Sequence, residues 1–280
     1  MKIISRQVCI FFLLALASFA VQAADWSNTW VGYRWGTQFR EPAITSDISK
    51  NILQIQHSGS YRYGVNFFNV DMLESGSNDP ALNGGGGAQE TVVVYRNTVS
   101  LSKLSGEKYG AGFIRDIGVQ FGMDWNSRND VIASRLYRPM AGPNISLDVP
   151  GYWNVGLLWQ HERNHNGVTG KDVAYDNTWR LATAWDIPLG VASVPGKFRG
   201  FANYISAKGT NGFGKQTKPE TLLEAFLMLD AGSAMASEKG IVFIGIGYQY
   251  WKNKYGNDSS ADASGGSFSR TPQFQLEWRL

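Results

Sequence analysis

The sequence predicts an all-β fold, a closed antiparallel transmembrane β-barrel of about twelve strands. Three observations predict it. Apolar residues recur at every second position in one segment after another, and aromatic residues gather toward the ends of those segments. The face opposite the apolar one is rich in Gly, Gln, Asn and Arg, a poor dry core but a suitable wall for a hydrated lumen. Closure has its own cause. In hydrocarbon an unpaired backbone N–H or C=O costs several kcal/mol, so the first and last strands must pair.

Composition excludes the other large classes. The 280 residues carry 26 Lys+Arg against 23 Asp+Glu, a near balance that argues against a nucleic-acid partner. No uninterrupted apolar run reaches the roughly 18 to 20 residues of a membrane-spanning helix, which excludes a helical membrane protein. With 32 Gly, 13% aromatics and few charges, the chain reads neither as disordered nor as a coiled coil.

Residues 1–23 read as a secretory signal peptide. Lys2 and Arg6 form a basic start, Val8 to Ala20 is almost wholly apolar, and Val21-Gln22-Ala23 offers small residues to a signal peptidase. Cys9, the only cysteine, would leave with it, so the barrel of residues 24–280 would hold no disulfide and no thiolate site.

The first strand sets Val31, Tyr33, Trp35, Thr37 and Phe39 against Gly32, Arg34, Gly36, Gln38 and Arg40. Further strands are expected at 51–59, 61–71, 90–101, 112–125, 139–149, 151–162, 177–186, 198–207, 220–230, 240–252 and 272–280. The last alternates Phe274, Leu276, Trp278 and Leu280 with Gln273, Gln275, Glu277 and Arg279, and a chain that finishes within such a strand is usual for outer-membrane barrels. Twelve strands put both termini on the periplasmic side. The connections 41–50, 72–89, 126–138, 163–176, 208–219 and 253–271, rich in Gly, Asn, Asp and Ser, would face outward. Three inner connections, 102–111, 187–197 and 231–239, look long for periplasmic turns. Trp30, Tyr33 and Trp35, with Tyr152, Trp153, Trp159, Tyr248, Tyr250 and Trp251, are expected in the aromatic girdles.

Several catalytic patterns are present and fail on spacing. His161-Glu162-Arg163-Asn164-His165 matches H-E-x-x-H, but that chemistry needs a helix, and residues four apart in a strand lie about 13 Å from each other. A strand end running into an exposed polar loop explains it better. His57 and Ser58 are neighbours in a strand and point to opposite faces, so they cannot form a catalytic pair. Asn83 to Gly87 lacks the Gly-Lys-Ser/Thr of a phosphate loop. The chain is read as no enzyme, with no metal and no cofactor.

What is left is the polar wall. Its inward candidates include Arg34, Gln38, Gln54, Gln56, Asp116, Gln120, Asp124, Arg180, Glu224, Gln249, Gln275 and Glu277. Both signs occur, which suits a neutral or zwitterionic polar solute.

Three stretches resemble the nucleoside-specific outer-membrane channel family (Tsx-like). Ser100-Leu101-Ser102-Lys103-Leu104-Ser105-Gly106 followed by Ala111 to Ile117 is similar to that family's "S-x-x-x-L-(S/T)-G" turn and strand, with Asp116 where the family tends to have Glu. Tyr63 to Asp71 resembles the strand before its long second outer loop. Phe198 to Tyr204 resembles its ninth strand, with Asn203 near a usual Asp. The resemblance implies a narrow twelve-stranded barrel in a bacterial outer membrane, passing nucleosides passively. Solute contacts would then come from Arg34, Gln38, Asp116, Gln120, Asn203, Glu224 and Gln249, with a base stacked on Phe201, Phe243 or Trp251. Partners would be that nucleoside-like solute, outer-membrane lipid and lipopolysaccharide, and phage at the outer loops. The rival reading is a structural or surface-interaction barrel with a plugged lumen.

Overall fold

The computed structural model describes residues 26–191, 194–235 and 238–280. The predicted signal peptide, residues 1–23, lies outside them. Alternation becomes twelve wall strands: β1 (Trp26–Phe39), β2 (Ile48–Tyr61), β3 (Gly64–Ser75), β4 (Gln89–Ser100), β5 (Ile114–Arg128), β6 (Arg135–Leu147), β7 (Tyr152–Gln160), β10 (Thr178–Val191), β11 (Val194–Ile205), β12 (Glu220–Asp230), β13 (Val242–Lys252) and β14 (Phe268–Arg279). A short hairpin of β8 (Arg163–Asn166) and β9 (Lys171–Ala174) rises from the connection between β7 and β10. Each wall strand pairs antiparallel with its neighbours, and β1 against β14, from Trp30↔Arg279 to Trp35↔Phe274, closes the ring. No sheet edge is left open in the wall.

β1 begins and β14 finishes at one end of the barrel, here the near end; the longer loops gather at the far end. The near end carries two short helices. α1 (Leu101–Ser105) is capped by Ser100, whose hydroxyl accepts from the Lys103 N–H at 3.0 Å, and is stopped by Gly106 in the left-handed region (φ 82°). α2 (Ala231–Ala234) is capped by Asp230, which accepts from the Ser233 N–H at 3.1 Å.

The outward face is apolar around the whole ring. Trp35, Leu53, Phe121, Leu157, Leu181, Ile246 and Trp278, from seven different strands, are all more than a third exposed. Water-soluble monomers rarely show a contiguous apolar surface of this extent. The buried set is the reverse of a soluble core: Arg34, Lys50, Gln54, Asp124, Arg180, Glu224 and Glu277 point inward.

Register corrects three expectations. A bulge between Gly36 and Phe39 shifts β1 against β2, so Phe39 faces inward opposite Ile48 and joins Ile48 and Ile52 in a buried cluster. Gln38 is thereby turned out and does not line the lumen. Trp30 and Trp251 are not girdle residues: Trp251 lines the lumen, and Trp30 is buried with its ring over Gly32, where an added Cβ would sit 2.6 Å from the ring. The segment 187–197 is not a long inner connection, since β10 and β11 stay paired to Val191↔Val194. The other two inner connections do exist and hold α1 and α2.

Candidate functional site: the charged lumen

Alternation delivers one inward side chain from every second position of twelve strands, and a narrow ring brings them within hydrogen-bond reach of one another. The lumen encloses a cavity of about 1350 Å³, lined from Asn28, Ser58 and Lys103 at the near end to Pro42, Leu82 and Asn257 at the far end. As many acidic as basic side chains line it. Their arrangement is uneven, and four networks describe it.

At the near end Glu277 of β14 accepts from Lys197 Nζ (2.5 Å) and Arg199 Nη1 (2.6 Å) of β11. Arg199 also donates to Gln56 Oε1 of β2 at 2.8 Å. β2 and β11 are five strands apart in a ring of twelve, so this bond crosses the lumen. The guanidinium stacks on Trp30, 4.7 Å from the ring centre.

Midway, Arg34 of β1 binds Asp71 of β3 at 2.9 Å and Glu224 of β12. Gln54 and Asn69 donate to Asp71 (2.9 and 2.8 Å), and Gln249 donates to Glu224 at 2.7 Å. Arg34 Nε and one amide oxygen each of Gln54 and Gln249 are buried without a protein partner.

Along the wall from β4 to β10, one carboxylate serves three guanidiniums. Asp124 of β5 accepts from Arg96 Nη2 (2.6 Å) and Arg180 Nη2 (2.9 Å), and Arg138 Nη1 lies 3.4 Å away. Arg138 reaches Glu162 as well, at 2.7 Å, and Lys208 from the β11–β12 loop completes that pair at 2.6 Å. Arg96 and Arg180 have no second carboxylate among the described residues, and Arg180 Nε is buried unpartnered.

At the far mouth Glu41, on the β1–β2 loop, gathers Lys50 (2.6 Å), Lys254 (2.9 Å) and Arg128 (2.9 Å). Arg128 goes on to Asp79 (2.5 Å) and Asp130 (3.0 Å), so four loops are tied at one point. Burial alone would raise the Glu41 carboxyl, but Arg128, Lys254 and Lys50 hold it well below the usual carboxylate range. Burial pushes the Lys254 ammonium down to about 8 against the pull of Glu41. Asn253 (φ 52°) and Tyr255 (φ 60°), both left-handed, flank Lys254; each costs on the order of 1 kcal/mol, offset by the contacts that hold the turn.

Of the ten candidate contact residues, eight line the lumen, and Gln38 and Phe243 do not. Arg34, Glu224 and Gln249 meet in the middle network. Asp116 lies at the near end, committed to α1: its carboxylate accepts from the hydroxyls of Ser100 and Ser102, the latter at 2.6 Å. Gln120 donates to Thr98 Oγ1 at 3.2 Å. Phe201 and Asn203 alternate on β11 facing the cavity. Two of the three rings expected to stack a solute are covered. Lys254 sits 4.3 Å over Trp251, whose N–H binds Glu220 at 2.7 Å, and Lys197 and Arg279 lie 4.5 and 4.7 Å from the centre of Phe243. Phe201 is the one of the three with no cation over it among the described residues.

The H-E-x-x-H match has no metal geometry. His161 binds Asn177 (2.9 Å) and His165 binds Asp172 (2.6 Å), and no group of three or more His, Cys, Asp or Glu among the described residues could hold a metal. Glu162 is not in an exposed loop, as expected, but buried in the lumen between Arg138 and Lys208.

Solved structures with a similar path of the chain include the NanC porin (12% identity, TM-score 0.46, covering 89% of this chain and 100% of that one). The KdgM porin follows at 11% identity and TM-score 0.45, covering 90% and 99%. The translocator domain of the autotransporter NalP from Neisseria meningitidis gives 12% and 0.41, covering 99% and 96%. No protein-family model matches the chain, and no curated protein matches it.

Proposed function

We propose that the protein is an outer-membrane channel through which small polar solutes diffuse passively, the near end periplasmic and the far end outside. One observation carries this reading: a cavity lined by charged and amide side chains runs from one end to the other inside a closed wall whose outer surface is apolar. Passage needs no cofactor and no energy source. Nucleosides are the first solutes to test. Phe201 offers a ring and Asn203, Gln120 and Gln249 offer amides, weak contacts from which a solute can leave. Arg34, Asp116 and Glu224 set the field along the path, and Trp251 narrows the mouth.

A specific observation favours the second reading, a plugged barrel whose outer loops serve partners such as phage: the Glu41 cluster ties loops across the far mouth. Swelling of proteoliposomes in isotonic nucleosides, sugars and amino acids separates the two. The channel reading expects swelling above protein-free liposomes, fastest with the solute best fitted to the lumen. No swelling with any solute, from protein that is folded and inserted, would select the plug.

A further inference from the structure

On the outer surface two exposed cations of neighbouring strands stand side by side without a carboxylate. Lys252 on β13 and Arg270 on β14 point outward, are exposed, and have no carboxylate partner among the described residues. Asp258, on the loop joining their strands, pairs with Lys218 instead at 3.6 Å. Tyr250 stands opposite Arg270 and Lys252 opposite Phe268, so the two cations are diagonal neighbours across one strand pair. Such positions are about 7–8 Å apart at the backbone, within reach of one shared anion for two long side chains. The Tyr250 and Phe268 rings meet edge to face at 5.2 Å, and Arg270 lies 5.0 Å from the centre of Phe268.

Height along the wall identifies the anion. Trp278 and Arg270 share the outward face of β14, eight residues apart, which is ~27 Å along the strand and ~20 Å along the axis at a ~40° tilt. The apolar band of such barrels is ~25 Å tall. Below Lys252 and Arg270 the same two strands present Ile244, Ile246, Phe274, Leu276 and Trp278, all exposed. The cations therefore stand at the far edge of the apolar band, with the Tyr250 and Phe268 rings level with them, where lipid headgroups begin. Nothing equivalent stands at the near end of these two strands, whose outward residues there are apolar.

We propose that Lys252 and Arg270, with Tyr250 and Phe268, form a docking site for a phosphate of the outer-leaflet glycolipid, lipid A, whose acyl chains would lie along the apolar face of β13 and β14. The inference rests on the outer-membrane reading above. In native mass spectrometry of the detergent-solubilised chain, bis-phosphorylated lipid A should be retained at least ~10-fold better than the same lipid dephosphorylated. Lys252→Gln/Arg270→Gln should abolish that preference, while Arg62→Gln, at the opposite end, should keep it. Heat-modifiable migration checks that the double variant is folded, and the two-lipid comparison on wild type stands without it. Equal retention of both lipids by wild type, or an unchanged preference in a folded double variant, would overturn the site. Conductance is read separately, so a failed lipid preference with an open pore rejects the patch and leaves the channel reading intact.

Discussion

Two carboxylates in this barrel each face three cations, and their surroundings give them opposite roles. Glu41 belongs to a loop, and two of its partners have further acids within reach: Glu90 lies 3.7 Å from Lys50, and Asp79 and Asp130 bind Arg128. Asp124 belongs to a strand. Its partners Arg96 and Arg180 have no other carboxylate among the described residues, and Arg138 shares Glu162 with Lys208. The mouth cluster is thus neutralised from several sides and works as a tie between loops. The wall cluster keeps a local surplus of positive charge beside the cavity. An ion pair count that is balanced over the whole cavity conceals this difference, because Coulomb energy in a partly dry lumen is decided within a few ångströms.

The largest effect should come from breaking the poorer cluster. Asp124→Asn leaves Arg96 and Arg180 without a carboxylate beside Arg138, which keeps Glu162, and removing one member of a buried pair costs about 3–5 kcal/mol. Urea unfolding in detergent micelles should show the loss, and the reversal potential in a salt gradient should move toward anions. A variant as stable and as selective as wild type would mean that the three arginines do not depend on this carboxylate.

Glu41→Gln should cost less, about 1–3 kcal/mol, since Asp79 and Asp130 still hold Arg128, Glu90 stays near Lys50, and of the three cations only Lys254 loses its carboxylate. Its main effect should be at the mouth: higher conductance, and faster protease cleavage in the 253–267 loop on intact cells. Unchanged conductance and cleavage would show that the tie does not restrain the loops.

A third effect is set by pH. Lys254 ionises near 8 in the folded chain against an ordinary value of 10.5. Between those values the unfolded chain binds the extra proton, so the site's contribution to stability rises with pH from about 8 to about 10.5; below 8 both states are charged and the full cost of burying the ammonium is present. Lys254→Met should flatten that rise in unfolding curves recorded across this window. The same slope in both proteins would assign it to another group.

Much of the architecture was legible in alternation alone. The strand at 220–230 is β12 to the residue, and the outward set of β13 and β14 is the one the pattern names. Gln38 and Phe39 exchanged faces because a bulge adds a residue to one strand without leaving any mark in composition. Pro188, Gly190, Pro195 and Gly196 read as loop, yet the hairpin keeps its ladder through them. Lys50 was missed because it alternates inward with Ile48 and Ile52, an apolar inward set that inverts the usual sign. Glu41, Arg128 and Lys254 are scattered over more than two hundred residues, and only closure of the ring brings them together. Lys197 and Arg199 did carry a signal, alternating with the outward Phe198, and could have been placed on the lumen wall by the rule that placed Arg180.

Passage requires a lumen continuous from end to end, and single-channel current in a planar bilayer tests that most directly. Wild-type protein refolded into the bilayer should give discrete, reproducible steps of current in salt solution, with larger steps from Glu41→Gln as the mouth is untied. Folded, inserted protein that passes no current in either form would contradict the channel and leave a sealed barrel.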